Sequence, residues 1–313
     1  MIEGKGFVIQ NTMDQIVEGL YVGSAMAESD TAKLREAGIT HILSVARHYP
    51  PSHPNDFIYM SVDIDDLPEE NIIQFFTETN IFTGSVLENG GRVLVHCMAG
   101  QSRSATVAAA YLMQRDTLTA EEAIATIKDK RPQIHPNSGF LDQLQLYYDL
   151  NYDVSTDKAL YRRFLISHNV EHFKEYGNVG TVVAGLDPSK QTLPAQRLMR
   201  CKKCRRALIT GANVIDHQAG AGQLAFSYNK RNANGVDTPH AFPQNRACSS
   251  LFVEPMEWMD GIRDGLVENK INCPKCDAKL GSYNWSGAQC SCGKWITPSF
   301  QIHRNRVDET RPI

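Results

Sequence analysis

Residues 93–106 read VLVHCMAGQSRSAT, and few folds can accommodate that order. Val93–Cys97 is a short continuous run of the kind buried on both faces of a sheet. Ser104–Arg115 is helical by pattern. A strand that passes into a helix over so short a loop turns successive backbone N–H groups toward one point, where the helix N-terminus adds positive potential. The loop residues Met98, Ala99, Gly100, Gln101, Ser102 and Arg103 therefore read as an oxyanion cradle. Gly100 lets the loop curl where a side chain would obstruct it. Arg103 brings a planar fork of donors able to hold two phosphate oxygens at once. The same field favours a thiolate, so Cys97 is expected to be a nucleophile that attacks phosphorus and forms a phosphocysteine.

The first 150 residues alternate strand-like and helix-like segments. Strands are expected over Ile16–Val22, Thr40–Ala46 and Phe57–Ile64, and helices over Ser29–Ala37, Glu69–Leu87, about Thr119–Lys130 and about Gly139–Tyr148. Thr119 and Glu122 have capping-box spacing. This alternation predicts an α/β domain with a mostly parallel central sheet flanked by helices over residues 1–150. A helical extension and a Gly-, Thr- and Pro-rich linker follow over 151–195, then a small β-rich domain over 196–313. That last domain has little apolar periodicity and is not expected to fold on a hydrophobic core alone.

Charge divides along the same line. Residues 1–189 hold 14 Lys+Arg against 25 Asp+Glu, a net −11, and residues 190–313 hold 18 against 10, a net +8. A basic tail of that size suits contact with nucleic acid as well as it suits a merely soluble surface. The apolar run at Ala105–Met113 is far short of the roughly 20 residues a membrane span needs. MIEGKGFVIQ carries no secretory pattern, so an intracellular protein is expected. No dimer-forming heptad is visible, and a monomer is the default.

Cys97 stands alone in the first half, and the other seven cysteines lie between Cys201 and Cys292. In such a chain, paired cysteines at short spacing read as metal ligands rather than disulfides. Four-coordinate zinc takes four ligands per site. Cys273, Cys276, Cys290 and Cys292 are expected to form one Cys₄ set. Cys201, Cys204 and Cys248 need a fourth ligand, for which His217 is preferred over His240, with His303 also available. Both sets, being full, are expected to be structural, so that the tail folds around two zinc ions and catalysis needs no cofactor.

HCMAGQSRS resembles the His-Cys-(five residues)-Arg-Ser/Thr signature of the protein tyrosine phosphatase superfamily. EGLYVGS, GITHILSVA and NSGFLDQLQLYY resemble its dual-specificity branch. The resemblance implies a shallow pocket that takes phosphoserine and phosphothreonine as well as phosphotyrosine in phosphoprotein substrates. It also implies an aspartic acid on a separate loop that protonates the leaving oxygen and then activates water. The candidates are Asp63, Asp65 and Asp66; Asp66, in an Asp-x-Pro context, is favoured and Asp65 stands second. Ser104 matches the hydroxyl that helps expel the thiolate, and His96 is expected to order the loop through hydrogen bonds.

AKLGSYNWSGAQCSCGKWITPSFQIHRNRVD, together with the cysteine set, is similar to the fungal-to-animal family of dual-specificity phosphatases with a zinc-binding tail. That likeness implies a part in maturation of the large ribosomal subunit. There the family joins the pre-60S particle and helps exchange a stalk-assembly factor for the ribosomal stalk protein, a task attributed mainly to the zinc domain, in nucleus and cytoplasm. Catalysis as the biological output, and a zinc-domain assembly factor or RNA/protein adaptor that works without catalysis, are both compatible with these residues.

Overall fold

Glu18 and Gly19 divide what the sequence presents as one strand. In the computed structural model, which describes residues 12–191, 197–218, 220, 248–262 and 264–310, Ile16–Val22 is a hairpin. Strand β1 (Met13–Val17) turns back on β2 (Leu20–Ser24) through Gly19 at φ +77°, a conformation glycine adopts without strain. His240 lies outside the described residues.

The chain divides into two compact units, Met1–Val154 and Ser155–Ile313. In the first, β3 (His41–Val45), β4 (Ile58–Val62) and β5 (Val93–Cys97) complete a five-stranded sheet in the order β1-β2-β5-β3-β4. Only the β1–β2 pair is antiparallel; β5 pairs parallel with β2 and β3, and β3 with β4. Every residue of β5 is buried, as expected of a central strand covered on both faces. Its carboxyl end is where α/β sheets of this kind present their ligand sites.

Helices α1 (Ala25–Glu28) and α2 (Thr31–Glu36) follow β2, and α3 (Phe76–Glu88) precedes β5. The helix expected from Glu69 begins only at Phe76, after a 3₁₀ turn at Ile73–Phe75, so the acidic stretch before it is loop. Helix α4 (Arg103–Asp116) is buried without interruption from Arg103 to Met113. Its alanines let it pack closely between the sheet and its helical neighbours. Helix α5 (Ala120–Lys130) carries the expected capping box, with Glu122 N–H donating to Thr119 Oγ1 at 3.2 Å and Thr119 N–H to Glu122 Oε2 at 2.9 Å. Helix α6 (Ser138–Asp149) starts at the N-cap Asn137.

The second unit has a hydrophobic core that the apolar periodicity of the tail does not reveal. Helix α7 (Ala159–Tyr176) contributes Ile166 and Val170 to it, beside Met199, Leu208, Phe300 and Ile302. Trp285 stands edge-on to Phe300 with ring centroids 5.4 Å apart, and both are buried. A three-stranded sheet joins β6 (Leu198–Cys201), β7 (Ala207–Thr210) and β15 (Val307–Thr310). A five-stranded antiparallel sheet has the order β10-β11-β14-β9-β8, from β8 (Val214–Ile215), β9 (Ser250–Val253), β10 (Glu268–Asn272), β11 (Lys279–Asn284) and β14 (Ser299–His303). Strands β12 (Ala288–Gln289) and β13 (Trp295–Ile296) form a small hairpin. Strands this short carry too few residues for alternation to show, which is why the core is invisible as periodicity.

Candidate active site and metal centres

Strand β5 delivers Cys97, almost fully buried, to the mouth of the loop. Gly100 N–H donates to Cys97 Sγ at 3.3 Å, and Ser104 Oγ lies 3.3 Å from the same sulfur. Gly100 has φ +68°, and a Cβ there would stand 2.5 Å from the Gly23 carbonyl oxygen and 2.7 Å from Arg131 Nη2. The loop can take this path only with glycine at that point. Arg131, at the end of α5, fixes the same residue from outside: its Nε donates to the Gly100 carbonyl at 2.8 Å and its Nη1 to Asp14 Oδ2 at 2.6 Å. Arg131 is missing from the sequence reading; a basic residue before a proline at a helix end gives no local sign of such a role. Around the rest of the loop, the Met98 carbonyl accepts from Ala25 N–H at 3.3 Å and the Gln101 carbonyl from His135 N–H at 2.9 Å. Met98 and Ala99 are exposed at the rim.

Arg103 is buried, and its Nη1 donates to the Ile64 carbonyl at 3.0 Å. Its Nε meets no hydrogen-bond acceptor among the described residues. The nearest carboxylate oxygen, Asp66 Oδ2, is 3.7 Å away, too far for a hydrogen bond. A buried guanidinium N–H without a partner, beside a thiol and a helix N-terminus, is the donor set an oxyanion satisfies.

The three acid-loop candidates separate cleanly. Asp63 accepts from His48 N–H at 2.6 Å, and Asp65 pairs with Arg47 Nε at 2.6 Å. Asp66 alone of the three turns toward the cradle: its Oδ1 accepts from Ser102 Oγ at 2.6 Å and from Asn137 Nδ2 at 2.9 Å.

His96 departs from the expectation. Both of its ring nitrogens are buried, and neither has a hydrogen-bond partner among the described residues; the ring packs edge-on against Tyr49 with centroids 5.3 Å apart. Burial pushes the imidazole down to about 4, against the opposing pull of the Glu28 carboxylate and the Cys97 backbone. His96 therefore supports the loop by packing, as a neutral ring. Glu28 is fully buried itself, and accepts from Ser52, Tyr59 and Tyr49. Burial would raise its carboxyl, yet these donors hold it below the usual carboxylate range.

In the second unit the expected metal ligands assemble, but in exchanged pairs. Cys201 and Cys204 join Cys273 and Cys276, while His217 and Cys248 join Cys290 and Cys292, with the ligand atoms of each group all within 4.8 Å of one another. The expected Cys₄ set of Cys273, Cys276, Cys290 and Cys292 is thus wrong, as is the grouping of Cys201 and Cys204 with Cys248 and His217. The reason is strand length. Cys273 and Cys276 lie in the turn that opens β11, and Cys290 and Cys292 in the turn between β12 and β13 beyond its other end. The six residues of β11 span roughly 20 Å at the usual strand rise, so the two pairs cannot share an ion. His303 belongs to neither group; it lies 3.1 Å from Ser250 Oγ.

Donor geometry in both groups fits a tetrahedral metal. Cys201 Sγ lies 3.7 Å from Cys276 Sγ, Cys204 Sγ lies 3.5 Å from Cys273 Sγ, and His217 Nε2 lies 3.4 Å from both Cys248 Sγ and Cys292 Sγ. Thiolates about 2.3 Å from a tetrahedral ion stand about 3.8 Å apart. The thiols also disagree about their protons. Burial and the neighbouring Cys290 and Cys292 push Cys248 up to about 12. Burial opposes ionisation of Cys292 too, but backbone N–H groups of Gly220 and Lys294, with Cys290 and His217, bring it down to about 6. A cation at the centre removes that conflict.

A parallel-centred sheet, a buried cysteine at the end of its middle strand and an arginine-bearing loop on the N-terminus of α4 define a protein phosphatase of the dual-specificity class. The family described as "Dual specificity phosphatase, catalytic domain" matches residues 20–150. Human "Dual specificity protein phosphatase 12" is 38% identical over 305 residues, covering 96% of this chain and 89% of the human one. "Tyrosine-protein phosphatase yvh1" of Schizosaccharomyces pombe is 32% identical over 310 residues, covering 97% of this chain and 86% of the yeast one. The chain belongs to the family of dual-specificity protein phosphatases that these two proteins represent. Among solved structures, the Yvh1 phosphatase domain of Chaetomium thermophilum is 29% identical and superposes with a TM-score of 0.41, covering 45% of this chain and 99% of that one.

Proposed function

We propose that this phosphatase hydrolyses phosphotyrosine and phosphoserine/phosphothreonine in proteins through a phosphocysteine at Cys97. The Cys97 thiolate attacks phosphorus as the bond to the leaving oxygen breaks, and Asp66 gives that oxygen its proton. Arg103 and the N–H groups of residues 98–103 hold the equatorial oxygens as charge shifts. Water, its proton taken by Asp66, then attacks phosphorus, and the Ser104 hydroxyl stabilises the departing thiolate. The single observation that carries this reading is the buried Arg103 Nε, without an acceptor among the described residues and 3.7 Å from Asp66 Oδ2, at the end of the loop that begins at Cys97. Purified protein should hydrolyse aryl phosphates; Cys97→Ser should abolish turnover yet keep phosphate affinity, and Arg103→Ala should lose both. Activity retained in Cys97→Ser overturns the mechanism.

Both ligand groups suit zinc, which prefers thiolate and imidazole in four-coordinate sets. With four protein ligands each, neither ion would keep a position for water, so both would be structural. No helix among the described residues is long and apolar enough to cross a membrane. The second reading is that the zinc-bearing unit meets the pre-60S particle, in nucleus and cytoplasm, independently of catalysis. It is favoured by where the ligand exchange puts positive charge: Lys202, Lys203 and Lys275 lie between paired ligands of the same metal group. Lysines gathered there would meet RNA phosphates and displace counterions. Co-sedimentation with 60S precursors tests it: Cys97→Ser should still bind, Cys273→Ser should not, and wild-type binding should weaken as salt rises. Loss of binding in Cys97→Ser with retention in Cys273→Ser would reverse the assignment.

A further inference from the structure

We infer that Asn137 is a positioning residue for the general acid, one that selects which oxygen of Asp66 carries the transferred proton. The inference rests on Asp66 being the acid. Asn137 is the N-cap of α6, and its Oδ1 accepts from Phe140 N–H at 2.9 Å. That bond settles which end of the amide is which, and it turns the two donors of Nδ2 outward. One of them reaches Asp66 Oδ1 at 2.9 Å, across 71 residues of sequence. The backbone N–H of Asn137 meanwhile donates to Ser102 Oγ at 3.2 Å, so that this hydroxyl's own proton goes to the same Asp66 Oδ1, at 2.6 Å.

Asp66 Oδ1 therefore accepts from two donors, each locked by a second bond to the backbone of α6 or its cap. An oxygen so occupied has no room to bear a proton. The proton of the acid form goes to Oδ2, the oxygen on the side of Arg103, 3.7 Å from its Nε. A carboxylic acid transfers its proton well only when the O–H is aimed at the leaving oxygen. The Asn137 amide and the Ser102 hydroxyl thus aim the acid, and the phosphoryl oxygens are left to the backbone N–H groups of the loop and to Arg103. The arrangement links a helix cap to the leaving-group side of the reaction, so the stability of α6 and the efficiency of protonation share one side chain.

Asn137→Ser and Asn137→Thr separate these two duties. Both replacements are good N-caps and keep the acceptor for Phe140 N–H, while both remove the amide donor to Asp66. Turnover should be measured on phenyl phosphate, whose leaving group needs protonation, and on an aryl phosphate with a strongly acidic phenol, which does not. Each variant should lose roughly 10-fold to 100-fold in kcat/KM on phenyl phosphate, which reports only the steps up to departure of the leaving group, part of the 10²–10⁴ scale of the acid itself. The loss on the acidic-phenol ester should be under about 3-fold, and thermal stability should be unchanged. Equal losses on both esters, or none on either, overturn the inference. Asp66→Asn run in parallel tells the two failures apart. If it shows no leaving-group dependence, the acid is assigned wrongly; if it shows the dependence and the Asn137 variants do not, only the positioning role fails.

Discussion

His96 links the ionisation of one buried ring to the pH range in which the catalytic unit is stable. In the folded chain burial holds its imidazole near 4, whereas an exposed histidine titrates near 6.5. Below about pH 6.5 the unfolded chain takes up a proton that the folded chain refuses, so this contribution is intact above 6.5 and lost as pH falls toward 4. The span of those two values corresponds to up to about 3 kcal/mol. His96→Phe removes the titration and keeps a ring against Tyr49. Thermal melts of the full chain from pH 7.5 to 4 should show wild type losing stability faster than the variant between 6.5 and 4. Parallel curves would mean that the ring is not held neutral. At this scale the sequence is informative wherever the chemistry is local: Cys97, Gly100, Arg103 and Ser104 fall within eight consecutive positions, and their spacing alone gives the cradle. Asn137 and Arg131 were not legible. Each acts on the cradle through hydrogen bonds that close 31 or 35 residues of chain, and an asparagine at a helix start already has a sufficient local explanation as a cap.

Helix α5 shows how an element can serve a site it does not enter. Its last turn brings the Arg131 guanidinium onto the Gly100 carbonyl, and Asp14 of β1 holds the guanidinium in place. Gly100 N–H is the donor to Cys97 Sγ, and holding the carbonyl on the other side of the same Cα restrains the backbone torsions of Gly100 that keep this N–H on the sulfur. Arg131→Met keeps the length of the side chain and loses that grip. Charge-assisted bonds of this kind contribute about 1.5–3 kcal/mol, so inhibition by vanadate should weaken roughly 10-fold to 100-fold. Unchanged vanadate affinity would show that the loop holds its path without Arg131. Strand β5 and helices α4, α5 and α6 stand where periodicity and capping signals put them. The β1–β2 hairpin was hidden because two short apolar strands around Glu18-Gly19 read as one run. Helix α3 starts later than its apolar spacing suggests, because Ile73–Phe75 close a 3₁₀ turn instead.

Across the whole molecule, seven cysteines and one histidine gather into two groups, and the grouping decides what each ion would tie together. One ion would bridge the turn after β6 to the turn after β10, joining the three-stranded sheet to the five-stranded one. The other would bridge the segments after β8 and before β9 to the β12–β13 turn. Spacing in the sequence picked out the seven cysteines, with His217 preferred among three histidines, but grouped them by proximity along the chain, and the length of β11 forbids that grouping. Metal content distinguishes the alternatives. Wild type should carry two zinc ions, one for each group. The double variant Cys201→Ser/Cys273→Ser damages a single group and should keep one ion. Cys273→Ser/Cys290→Ser damages both groups and should keep none. Pairing by neighbouring motifs requires the reverse, with none left in the first double variant and one in the second. Elemental analysis of the purified chains, with phosphatase activity as the check that residues before 155 remain folded, decides between them.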